Sequence, residues 1–408
     1  MDNTLHNICR VVTGFENDTF VGIKVENGIP KVTFPIGYNL SSDEKGLRED
    51  IFLLIGTLKK YRYREKELGT TIFSDIESNT LPIFAYQRMI QRYFDYGTYT
   101  EYEVTYKPDK TGRINWAKTI KNIKPIIQGT NAVYTDFIIR DSSAKEHTLI
   151  AEIFQYCVYI SFQKIGWLYS QKKFVKPRIK YNQKLFIGAI REKLNVSYSD
   201  KDKELFNDML TIVSDIGSDK DIFNNCSYGT YSFEYVWEKL IDTTFGIKNK
   251  QEYFPKTKWT LHQKGIQKEN HCLEPDTILI QNDTIYVIDA KYYKYGVTGI
   301  PSHLPDTSSV QKQITYGEYI HTYMNIPPEQ IYNAFLMPAN LEKGTFQSPD
   351  KIEFIGIATS DWKQNKYPYE QVAGILIDTK FLMSNHTNRN LLKRELSSKI
   401  SYNIINKE

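Results

Sequence analysis

The stretch Leu273–Tyr293, LEPDTILIQNDTIYVIDAKYY, constrains the fold of this chain more than any other. Two runs rich in β-branched residues, DTILIQ and TIYVIDAK, flank Asn282-Asp283, a pair suited to the tight turn of a β-hairpin. In an antiparallel pair closed at residues 282–283, Asp276 lies across from Asp289 at the open end. Asp289 and Lys291 stand two apart and so point to one face, because strand side chains alternate. Two carboxylates and an ammonium therefore converge at one sheet edge. Carboxylates a few ångströms apart repel unless a divalent cation joins them, and their hard oxygens suit Mg²⁺. Such a metal can acidify a water and offset the charge developing on a phosphodiester. Lys291 beside it can orient that water or stabilise the pentavalent phosphate.

The flanks predict the frame that carries this hairpin. A helix is expected over Ser232–Phe245, a strand at KWTLH, strands at Asp276–Gln281 and Thr284–Lys291, and a helix over Ser309–Met324. Strands at Tyr332–Met337 and Ile352–Ala358 complete an α/β layer with a mixed sheet. Upstream the pattern differs. FVGIKVENGIPKVTFPIGY alternates around Asn27-Gly28, a hairpin signal. Ile51, Leu54, Ile55 and Leu58 form one helical stripe, AVYTDFIIR (132–140) reads as a strand, and HTLIAEIFQYCVYISFQKIGWLY as a largely buried helix. Residues 195–225 are polar, with Ser-Asp-Lys turn clusters around a short helix, and the boundary is placed there. The expected division is a mixed α+β domain over 1–225, for DNA recognition or partner binding, and an α/β domain over 226–408.

Glu274-Pro275-Asp276 followed by Asp289-Ala290-Lys291 resembles the signature of the PD-(D/E)xK nuclease superfamily. The resemblance implies a restriction-endonuclease-like core and a Mg²⁺ site, with Mn²⁺ able to substitute, held by Asp276, Asp289 and the Ala290 position. In such nucleases an acidic residue on the preceding helix often completes the site. Glu234 and Glu238 are spaced i, i+4 on one face, so either can point inward, and Glu238, in VWEKL, is preferred. SSVQKQITYGEYIH is similar to the Gln-x-x-Tyr helix of many relatives, which implies Gln313 and Tyr316 near the scissile phosphate and Lys312 and Tyr316 against DNA.

More narrowly, VTFPIGY, LREDIFLLI, IGWLY, VWEKL, the hairpin and KQITY resemble LlaJI-type restriction endonucleases. GRINWAKTI (112–120) is similar to nuclease subunits of McrBC-like systems, which work with an AAA+ GTPase. The resemblance implies a Mg²⁺-dependent endonuclease of a restriction or phage-defence system acting on double-stranded DNA. The alternative is a non-cleaving DNA-binding or assembly subunit beside a McrB-like partner. This chain has no GxxxxGK[ST], so nucleotide hydrolysis would be the partner's.

Composition narrows the rest. A net charge of +4 is compatible with nucleic acid without identifying it. The 30 Tyr and 21 Phe are read as the composition of an AT-rich genome, since Lys, Ile and Asn are plentiful too. Four cysteines without CxxC spacing suggest reduced thiols and a cytoplasmic protein, and no run of 18 apolar residues suggests a membrane span. The seven histidines show neither HxH nor HExxH, so a His-dependent hydrolase has little support. Lys59 with KYRYREKE (60–67), and QKKFVKPRIKYNQK (171–184), mix basic and aromatic residues that suit phosphate contacts or a protein interface. A homo-oligomer is also compatible with the sequence.

Overall fold

Asn282 and Asp283 take φ of 50° and 59°, the left-handed region that a two-residue hairpin turn needs and that Asn and Asp tolerate. The turn fixes the register of everything around it. The computed structural model describes residues 5–15, 18–68, 81–145, 147–169, 174–217, 225–262, 267–384 and 389–406, with backbone alone for 62–68, 217, 225 and 389. Contacts divide the chain into two units, Met1–Thr80 with Asn224–Glu408, and Leu81–Phe223.

The first unit contains strands β1 (Cys9–Val11), β2 (Val21–Glu26) and β3 (Ile29–Phe34), and helix α1 (Glu44–Leu68). Strand β4 (Asn225–Thr230) and helix α2 (Phe233–Phe245) follow, then the hairpin β5 (Thr277–Gln281) and β6 (Thr284–Ala290). Helix α3 (Thr307–Tyr323), strands β7 (Ile331–Ala339), β8 (Ile352–Thr359) and β9 (Gln371–Asp378), and helix α4 (Arg389–Ile405) come after, beside shorter elements.

Five strands form one sheet in the order β5-β6-β7-β9-β8. Strands β6, β7 and β9 run parallel, while β5 and β8 are antiparallel edges, which makes the sheet mixed. Helix α3 makes the crossover from β6 to β7, the length of connection that parallel strands require. Its Tyr316 and Ile320 pack with Ile278, Ile285 and Val287 on one face. On the other face Tyr286 is buried, and its ring stacks on Tyr332 of β7. All nine residues of β7 are buried, as expected of a strand covered on both sides.

Residues 1–80 depart from the expected division. The β2–β3 hairpin forms as anticipated, yet β2 also pairs along its length with β4, in a sheet ordered β1-β3-β2-β4. Gly22, at φ 143°, and Gly229 allow this approach, since a Cβ on Gly22 would stand 2.3 Å from the Tyr228 carbonyl oxygen. Ile36 joins the same unit to the hairpin's C-terminal end: its N–H donates to the Tyr292 hydroxyl (2.7 Å) and its carbonyl accepts from Thr379 Oγ1 (2.9 Å). The N-terminal eighty residues therefore group with the hairpin, and the change of unit near residue 224 marks only the end of an inserted segment.

That inserted unit carries helices Ile83–Tyr96, Leu149–Ile165, Gln183–Val196 and Asp200–Gly217. The short helix expected within 195–225 is thus an 18-residue one. The strand expected at 132–140 is two, Asn131–Val133 and Phe137–Lys145, and the second pairs with Glu101–Asp109 and Arg113–Ile114. Among the described residues no helix is long and apolar enough to cross a membrane.

Candidate active site

The hairpin ladder pairs Thr277 with Ile288 and Gln281 with Thr284, so Asp276 and Asp289 follow as the next opposed pair at the open end. Strand β6 delivers Asp289 at the carboxyl end of the parallel strands, the edge at which open α/β sheets place their ligands. Lys291 N–H donates to the Leu336 carbonyl (2.9 Å), which extends the strand one step past Ala290. The Lys291 ammonium pairs with Asp289 Oδ2 at 2.7 Å, and both side chains are about one-fifth exposed (20% and 17%). The Ala290 N–H donates to Asp276 Oδ2 at 2.7 Å. The paired carboxylates and the ammonium expected from the hairpin are therefore brought together.

Electrostatics describe the same cluster. The Asp276 carboxyl is pushed up to about 8, first by burial, then by the charges of Asp289 and Glu238 and by a hydrogen bond with Asp289. Burial is also the main reason that the Glu238 carboxyl rises, with Asp289 and Glu234 adding and Lys239 and Lys291 opposing. For Lys291, burial acts to lower the ammonium, but the charge and hydrogen bond of Asp289 outweigh it and the group is raised. Glu234 instead lines a cavity of about 420 Å³ with Tyr231, Tyr293 and Lys294. Of the two helix carboxylates, Glu238 is the one whose charge acts on both Asp276 and Asp289.

Among the described residues no group of three or more His, Cys, Asp or Glu side chains stands ready to hold a metal. The donor chemistry nevertheless fits a hard divalent cation. Negative charges on Asp276 and Asp289 that act on each other need a shared proton or a cation between them, and burial makes the Asp276 carboxylate costly without one.

Gln313 and Tyr316, both expected at the site, are buried side chains of α3. Gln313 is fully buried, and its amide donates to the Val287 carbonyl at 2.6 Å, which braces β6. Tyr316 is 3% exposed and packed in the core under the hairpin, where burial and the charges of Asp289 and Asp276 raise its hydroxyl. A polar residue on the inward face of a helix is bound to a backbone partner as readily as to a ligand, and spacing alone does not separate the two. Lys312, on the outer side of the same helix, is exposed. Of the two basic-aromatic stretches, side chains 62–67 and residues 171–173 lie outside the described residues.

One group of residues at the site was not anticipated. Lys250 Nζ pairs with Asp242 Oδ1 (2.9 Å) and also donates to the carbonyl of Asp276. Thr277 Oγ1 reaches the same Asp242 oxygen at 3.4 Å. Asp242 lies one helical turn beyond Glu238 on α2, so the helix that offers a carboxylate also holds the backbone of Asp276. The i, i+4 step from Glu238 was the available signal.

Comparison with known proteins identifies the family. The chain is 24% identical over 357 residues to the BsuMI type II restriction enzyme component YdjA of Bacillus subtilis (strain 168), covering 82% of this chain and 75% of the relative. Among solved structures, the half-complex of Thermococcus gammatolerans McrB AAA+ hexamers with bound McrC aligns over 94% of this chain and 83% of that one. The identity there is 12% and the TM-score 0.29, too low to indicate a shared fold. The family model for the LlaJI restriction endonuclease matches residues 20–364, spanning most of both units, and the chain belongs to that family.

Proposed function

We propose that this protein is a Mg²⁺-dependent DNA endonuclease with a PD-(D/E)xK core, cutting phosphodiester bonds within a restriction system. The observation that carries this reading is the pairing of Asp276 with Asp289 at the open end of the hairpin, with Lys291 bonded to Asp289 at 2.7 Å. Asp276 and Asp289 would hold the metal, Glu238 would add its charge, and Ala290 would take part through its backbone. When bound, the cation lowers the pKa of a water and neutralises charge on the phosphate, and Mn²⁺ meets the same oxygen donors.

The chain's own residues do the rest. Lys291 keeps a positive charge beside the carboxylates, where negative charge grows on the phosphate as the bond breaks. Lys250 and Asp242 fix the backbone of Asp276, so its carboxylate is aimed before substrate arrives. Gln313 pins β6 from beneath at Val287. The B. subtilis relative is described as a component of its enzyme, which favours a second element of the proposal. This chain works beside at least one other subunit, an AAA+ GTPase being the kind its sequence resemblance implies.

Lys291→Ala tests the assignment. Removing one group that stabilises transition-state charge lowers the cleavage rate by roughly two to three decades. DNA affinity and the melting temperature stay near those of the unmodified chain, and EDTA abolishes cleavage by both. Early melting of the variant would make Lys291 a structural ion-pair member and overturn its role.

A further inference from the structure

The inserted unit carries a surface that the proposed chemistry does not use. Residues 107–124 hold Lys107, Lys110, Arg113, Lys118, Lys121 and Lys124 against a single acidic residue, Asp109. All six cations are exposed. Lys107 is paired with Asp141 at 2.9 Å, and among the described residues the other five form no ion pair. Like charges gathered with few counter-charges raise the potential over the patch and cost the folded protein self-repulsion. An anionic occupant removes that cost.

The patch rests on an ordered support. Helix Trp116–Asn122 is capped by Asn115, whose side chain accepts from the Lys118 N–H at 2.9 Å. Its fully buried Thr119 accepts from the Ile138 N–H, also at 2.9 Å, which fixes the helix on strand Phe137–Lys145. Ile138 and Ile139 of that strand are both buried. Lys118 and Lys121 leave the helix one turn apart, and Lys118 Nζ lies 3.4 Å from the centre of the Tyr106 ring. Trp116 is 53% exposed, with its edges set against Tyr134 and Phe137. Fixed backbone lowers the entropic cost of engaging a ligand with several cations at once.

We propose that this lobe binds the phosphate backbone of duplex DNA and supplies part of the sequence-independent grip of the enzyme. The inference rests on the endonuclease reading above and names a surface for its substrate. The same lobe exposes Ile120, Ile126 and Ile127, as a protein-docking face would. Composition decides between the occupants: lysine is depleted in protein interfaces, whereas unpaired lysines and arginines are what a phosphate backbone selects.

The experiment is a salt titration of DNA binding by the full chain in EDTA, on a duplex of random sequence. Each phosphate contact contributes about −0.9 to the slope of log K against log salt concentration. The variant with Lys110, Arg113, Lys118, Lys121 and Lys124 all changed to Gln loses at least tenfold in affinity near physiological salt. Its slope becomes shallower by about 3 to 4 for roughly four lost contacts. Lys118→Gln with Lys121→Gln alone shifts the slope by about 2, with an unchanged melting temperature as the folding control. If the unmodified chain binds and cuts DNA but the fivefold variant keeps its slope and affinity, the lobe proposal fails alone, and a protein face becomes its reading. If the unmodified chain neither binds nor cuts DNA, the endonuclease reading falls and takes this inference with it.

Discussion

The hairpin Thr277–Ala290 and the ladder of Glu101–Asp109 with Phe137–Lys145 are both antiparallel pairs of strands, and they use their side chains in opposite ways. In the hairpin, Ile278, Leu279, Val287 and Ile288 are fully buried, and Asp276 and Asp289 meet at a partly desolvated end. In the other pair, most positions of both strands are exposed, among them Tyr102 at 71%. The difference teaches where position matters. Buried strands fix one register and give charge a strong effect, because water cannot screen it. Exposed strands hold a shape while leaving each side chain nearly free to change.

The contrast can be broken first in the core. Trp237 is fully buried, and its indole N–H donates to the Leu336 carbonyl at 3.3 Å, across from the site. Trp237→Ala lowers stability by about 3–5 kcal/mol, read from chemical denaturation. A loss under 1 kcal/mol would mean that this sheet is packed no more tightly than the exposed strands.

A second effect follows from charge. The Asp276 carboxyl, raised from an ordinary value near 3.8 to about 8, holds its proton in the folded chain over a range where the unfolded chain has lost it. The folded state therefore binds more protons between these values, and metal-free stability falls as pH rises from about 4 to 8. The slope is at most about 1.4 kcal/mol per pH unit for one such group. Mg²⁺ restores stability most at the upper end of that window, where the carboxylates are ionised. Thermal melts at several pH values with EDTA or Mg²⁺ check this, and a metal-free melting temperature that rises over this window in step with the Asp276→Asn variant would contradict it.

Smaller again is the loss at Gln313. Gln313→Leu removes the donor to Val287 from a buried position and costs about 1–3 kcal/mol. Cleavage per folded molecule stays within a few-fold of the unmodified chain; a loss of several decades at full stability would return Gln313 to the chemistry. At the exposed end of the comparison, Tyr102→Ala changes stability by no more than about 0.5 kcal/mol.

The same contrast explains what could be read from the sequence. The hairpin was legible because its turn residues and alternation are local, and the expected opposition of Asp276 and Asp289 continues the observed ladder. Strand β9 was not anticipated, although it pairs with β7 in the centre of the sheet. Its run VAGILI is buried on both faces and carries no alternation to mark it. The pairing of Val21–Glu26 with Asn225–Thr230 spans about two hundred residues, and nothing local to either strand names the other. Lys250 escaped for the same reason, since it acts through the backbone of Asp276. Gln313 and Tyr316 show the converse, a spacing that matched a pattern without revealing that both side chains are buried.

The central claim is that Asp276 and Asp289 form one metal-dependent cleavage site. Its most direct test is plasmid cleavage by the purified full chain, together with any partner subunit it requires, set beside Asp289→Asn in Mg²⁺. Asn keeps the shape of the side chain while removing the charge that faces Asp276 and Lys291. The account predicts cleavage by the unmodified chain in Mg²⁺, none in EDTA, and a loss of at least about a thousandfold in the variant, several kcal/mol of barrier. Asp289→Asn cutting at the unmodified rate, or cutting by the unmodified chain that persists in EDTA, would contradict it.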